Sequence, residues 1–150
     1  MKAAAMNDRR ISFQMRSRLP VVAAVIFCLG CSSGSPFQYQ EVRGKLTYED
    51  GSPLPSGGIQ LKFIAQDVGA IEDAHPRPAI ANLNGQGEFP CVTSYKYGDG
   101  LVPGKHKVAI LNAKDKKGRL LVPVEYTHVA TTPLIVDTAD TPFEIKVPKL

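Results

Sequence analysis

From Val42 to Val147 the apolar residues recur at every second position, in short runs that glycines and prolines interrupt. Val42, Gly44, Leu46 and Tyr48 alternate with Arg43, Lys45 and Thr47. Ile59, Leu61 and Phe63 alternate with Gln60 and Lys62, and His106, Val108 and Ile110 with Lys105, Lys107 and Ala109. Successive side chains of a strand point to opposite faces, so a period of two predicts a strand with one covered face. Residues 79–82, 89–95, 134–136 and 143–147 give further strands, with Pro90 marking an edge or a bulge. No window carries the spacing of a ten-residue helix. About seven short strands with regular breaks predict an all-β fold, a β-sandwich.

The breaks have a chemistry of their own. Asp50-Gly51 ends the first strand, and residues 52–58 (SPLPSGG) extend the interruption. Asn84-Gly85-Gln86-Gly87 predicts a hairpin turn, because glycine accepts the positive φ that tight turns require. Pro103-Gly104 suits the centre of a type II turn. Residues 67–78 and the basic stretch 113–119 are expected as loops, and residues 122–126 as extended chain, since Pro123 disfavours helix before it.

The N-terminal part is of a different kind. Residues 19–29 are apolar and uncharged, and eleven residues of helix cover roughly 16 Å. A bilayer core needs about 20 residues, so this run is too short to span. Lys2, Arg9, Arg10, Arg16 and Arg18 precede it, and Met15 is an alternative start. A basic lead, a short apolar helix and a small residue before a cut make an export signal. Cys28-Leu29-Gly30-Cys31 resembles the bacterial lipobox, with Cys28 where an aliphatic residue is usual. That resemblance implies lipidation of Cys31 and a membrane anchor. The expected organisation is a signal peptide over residues 1–30, a lipidated cysteine and polar tether over 31–40, and the sandwich over 41–150. Fully extended, the ten steps from Cys31 to Glu41 reach about 33–36 Å.

Charge and cysteine content narrow the function further. Of the 18 basic and 14 acidic residues, five basic and one acidic lie before Leu19, so the remainder balances at 13 each. With the leader gone, no basic footprint argues for nucleic acid. Cys91 is then left without a disulfide partner, and its place between Phe89 and Thr93 predicts a small buried hydrophobe.

Several motifs together are similar to the small planctomycete-type lipoproteins whose exported part is a carboxypeptidase regulatory-like domain. They are Val42-x-Gly44-x-Leu46, Gly51-x-Pro53-Leu54 and Asn84-Gly85-x-Gly87-x-Phe89. Further along come Gly98-Asp99-Gly100-x-x-Pro103-Gly104-Lys105-His106-Lys107-Val108, Val122-Pro123-x-x-Tyr126 and Phe143-x-Ile145-x-Val147. The resemblance spans residues 41–149 and implies a seven-stranded, prealbumin-like sandwich. It implies no activity.

No catalytic constellation is expected. His75, His106 and His128 show no ligand spacing with one another or with cysteine, so neither metal nor cofactor is expected. His106 is expected as a hydrogen-bonded histidine at the core edge. Asn82-x-Asn84-Gly85-x-Gly87-Glu88 offers too few charged oxygens for calcium. No serine lies in a G-x-S-x-G elbow, and the C-terminal Pro148-Lys149-Leu150 lacks the Tyr-Arg-Gly-Ser ending of prealbumin-like hydrolases. The expected function is a non-catalytic, lipid-anchored module of the cell envelope, with an envelope protein or a glycan as partner. The alternative is a carbohydrate or small-ligand module using Tyr95, Tyr97, Asp99 and His106 around the 98–104 loop.

Overall fold

The computed structural model describes residues 34–55 and 57–150. The expected signal helix and Cys31 lie outside them. The described chain is an all-β sandwich. Its strands are β1 (Gly44–Tyr48), β2 (Gln60–Ala65), β3 (Ala79–Asn82), β4 (Glu88–Phe89), β5 (Lys105–Leu111), β6 (Ile135–Asp137) and β7 (Phe143–Val147). One sheet has three strands in the order β4-β1-β7, the other four in the order β3-β2-β5-β6. All pairings are antiparallel except β1 with β7.

The alternation predicts which side chains meet between the sheets. Leu46 and Tyr48 from one sheet and Leu61, Phe63, Val108 and Ile110 from the other are buried in one apolar cluster. Phe63 stands between the layers, its ring 6.1 Å from that of Phe89 and 6.2 Å from that of Phe143. Gly44 makes this trio possible. It pairs with Phe89 on one side and Phe143 on the other, and a Cβ there would lie 2.5 Å from the Phe143 carbonyl oxygen and 2.7 Å from the Phe89 ring.

The 84–87 turn forms as expected, held by Asn84. Its side-chain oxygen accepts from the backbone N–H of Gln86 at 2.9 Å and of Glu88 at 2.8 Å. Gly104 has φ +118°, but the Val102 carbonyl is met by the His106 ring at 2.8 Å.

Four expectations change. The strand expected over residues 89–95 stops at Phe89, because Pro90 has no N–H for the ladder. The chain then crosses between the layers. Phe89 pairs with Gly44 in one sheet, whereas Thr93 bridges Ile80 of the other. The crossing resets the inward face, so Val92 is fully buried and Cys91, expected in the core, is only half-buried.

Within the stretch 122–126 expected as extended, the chain turns at Val124, and residues 124–127 form a 3₁₀ turn that packs on β5. Pro123 restrains the residue before it, yet suits the head of a helical turn, where a missing N–H costs nothing. Part of the expected tether is docked. Phe37 is buried, Gln40 exchanges backbone hydrogen bonds with Leu101 at 2.7 and 3.0 Å, and the Gln40 side chain donates to the Thr138 carbonyl at 3.2 Å.

The sandwich therefore has two distinct ends. The docked N-terminal stretch, the 66–78 loop and the 90–104 segment share the end where β5 begins. The 112–120 loop, the 3₁₀ turn and the C-terminal residues share the end where β5 finishes.

Candidate functional site

The 94–100 loop is built around Asp99. One carboxylate oxygen accepts from the Ser94 N–H at 2.8 Å, the other from the N–H groups of Tyr95 and Lys96 at 2.9 and 2.8 Å. A carboxylate is the natural closure here, since its two oxygens take several donors at once. The loop is fixed further by Gly100 N–H donating to the Val92 carbonyl at 2.9 Å and by Ser94 Oγ donating to the Gly100 carbonyl at 2.6 Å. Gly98 and Gly100 both take positive φ, at +73° and +94°. At Gly100 any Cβ would collide with the Gln40 carbonyl oxygen, so this glycine is what lets the N-terminal stretch lie against the loop.

The four residues expected to form a binding site around this loop do not converge. Asp99 is engaged with the loop's own backbone. Tyr97 is 90% exposed. Tyr95 is half-buried, with the Arg77 guanidinium 4.8 Å above its ring. His106 is inside the sandwich, 2% exposed. Its Nε2 is 2.8 Å from the Val102 carbonyl oxygen, which fixes that nitrogen as the donor. Its Nδ1 is then a buried acceptor without a partner. Burial pushes the His106 pKa below its ordinary value of 6.5, against the opposing effects of the Val102 hydrogen bond and the Asp137 charge.

Tyr95 does line a hollow. It has a volume of about 310 Å³ and includes Phe37, Tyr39, His75 and Arg77. Tyr97 is not part of it. The two histidines outside the core are exposed, and the His128 ring is 2.8 Å from the Thr127 hydroxyl. Among the described residues no group of three or more His, Cys, Asp or Glu side chains is placed to hold a metal ion.

The most spacious hollow described is at the opposite end. It has a volume of about 650 Å³ and is lined by apolar Ile110, Ala113, Leu120 and Val124 together with polar residues that include Gln60 and His128. Asn112 lies on its wall with φ +58°, and Val124 is 57% exposed. Sequence reasoning missed this feature. Part of its lining, Val124 and Thr127, comes from the 3₁₀ turn, which the expectation of extended chain did not include.

The basic 113–119 loop lies beside this hollow. Asp115 organises it, accepting from the Lys117 and Arg119 N–H groups at 2.8 and 2.9 Å and pairing with the Arg119 guanidinium at 2.8 Å. These bonds, the Arg119 backbone bond first, hold the Asp115 carboxyl below its ordinary pKa. One of the loop's cationic side chains is thus already matched. Comparison of the chain with protein-family models, with curated proteins and with solved structures finds no match.

Proposed function

We propose that this chain is a lipid-anchored, non-catalytic β-sandwich of the cell envelope, an interaction or structural module held at the membrane through Cys31. The observation that carries this reading is the short apolar run ending at Gly30-Cys31, placed directly ahead of a folded β-sandwich. Two further features support it. The polar side chains best placed for chemistry are committed to structure, with Asp99 closing a loop and His106 bonded in the core. The 650 Å³ hollow at the far end offers a shaped, partly apolar surface for a partner.

Cross-linking of the full-length tagged protein in intact cells, followed by mass spectrometry, tests the interaction. The expected result is one dominant envelope protein, with cross-links mapping beside the 112–128 end. Capture of neighbours only in proportion to their abundance would remove the dedicated protein partner. Glycan binding would then be measured on the same full-length protein. The small-ligand reading rests on Tyr95, whose ring borders the 310 Å³ hollow.

A further inference from the structure

We infer that the end of the sandwich bearing Tyr97 and Ile71 rests on the membrane, with the lipid headgroup layer as its partner. The inference depends on the lipid anchor at Cys31 and adds an orientation to it. Ser35 is tied to the docked stretch, since its hydroxyl lies 2.8 Å from the Tyr39 hydroxyl and accepts from the Phe37 N–H at 3.2 Å, and it lines a hollow with Ala74, Arg77 and Tyr95 of the domain. From there Phe37 is buried and Gln40 is paired with Leu101. Only four residue steps separate Cys31 from Ser35, and at full extension they reach about 13–14 Å. A wholly free tether would allow about 33–36 Å. An anchor so close to the domain leaves little freedom to turn the docked end away from the bilayer.

The surface around that docking point has the side chains for a headgroup layer. The 66–78 loop carries Ile71, 43% exposed, and the 94–99 loop carries Tyr97, 90% exposed. The far end also exposes two large apolar residues, Val124 and Leu150, so it is the short tether that selects this end. Ala74, His75 and Arg77 of the first loop and Tyr95 of the second line one hollow together with Ser35, Phe37 and Tyr39, so both loops flank the point where the chain enters. Tyrosine suits the boundary between headgroups and acyl chains, with an apolar ring and a wet hydroxyl.

Charge is not the driving force. The two loops carry Asp67, Glu72, Asp73 and Asp99 against Arg77 and Lys96. The basic 113–119 loop lies at the other end of the sandwich and faces away from the bilayer in this orientation. A weak apolar contact suffices, because a short tether makes it an intramolecular event at high effective concentration.

The chain contains no tryptophan, so single Tyr97→Trp and Val124→Trp substitutions give clean probes of the two ends. Both positions are well exposed, and unchanged circular dichroism would verify the fold. The full-length protein, as cells process it, would be reconstituted into phosphatidylethanolamine–phosphatidylglycerol vesicles containing a headgroup-nitroxide lipid. Flotation comes first. Failure to float would remove the anchor and, with it, this inference. For the floating protein, the Tyr97→Trp probe should lose emission about twofold, as expected of an aromatic residue at the interface, with the Val124→Trp probe unaffected. That loss should persist in high salt. Equal emission from both probes, or quenching of the Val124→Trp probe alone, would overturn the orientation while leaving the anchor intact.

Discussion

His106 is the residue whose environment makes the sharpest demand. Its ring is buried, Nε2 donates to the Val102 carbonyl, and Nδ1 has no partner. A second proton on Nδ1 would be a buried charge with no acceptor, so the folded state holds the ring neutral. The folded pKa is lowered from 6.5, and the unfolded chain therefore binds the proton first as pH falls. The stabilisation is fully present above about pH 6.5 and is lost progressively below it. Denaturant unfolding should show lower stability at about pH 5.5 than at about pH 8 from this group. His106→Leu should remove that part of the pH dependence. An identical pH profile in the variant would contradict the neutral buried ring. Asp99 teaches a related lesson. A carboxylate between two glycines suggests a ligand site, yet its oxygens are taken by Ser94, Tyr95 and Lys96.

At the level of elements, Gly100 joins the N-terminal stretch to the sandwich. Gly100→Ala would force a side chain into a φ of +94° and against the Gln40 carbonyl, a combination that costs on the order of 1–3 kcal/mol. The expected outcome is faster hydrogen exchange at the Gln40 and Leu101 amides, with β2 and β5 still protected. Unchanged exchange there would show that the docking does not depend on this glycine. The alternation in β1, β2, β5 and β7 was legible because one face of each strand meets the opposite sheet. Three features were not. Pro90 was visible as an interruption, but a change of sheet after it depends on Thr93 meeting Ile80 of the other sheet. Pro123 permits extended chain and the start of a 3₁₀ turn alike, and packing against β5 decides between them. The 31–40 stretch reads as polar, and a single phenylalanine at position 37 does not reveal that residues 37–40 dock. Behind the second of these lies the hollow at the far end, whose lining is assembled from β5, residues 112–120 and the 3₁₀ turn.

For the whole molecule, the two ends of the sandwich have different work in the proposed function. In that proposal the end where the chain enters is short-tethered and set towards the bilayer, with the exposed Tyr97 on it. The other presents the larger hollow and the basic loop to the aqueous side, where a partner has access. All of this rests on the anchor at Cys31. The most direct test is metabolic labelling of cells expressing the full-length chain with a radioactive fatty acid, alongside the Cys31→Ala variant. The wild-type protein should carry the label, and the variant should be expressed without it and leave the membrane fraction. Equal labelling of the two, or none in the wild type, would contradict the lipid anchor and the orientation built on it.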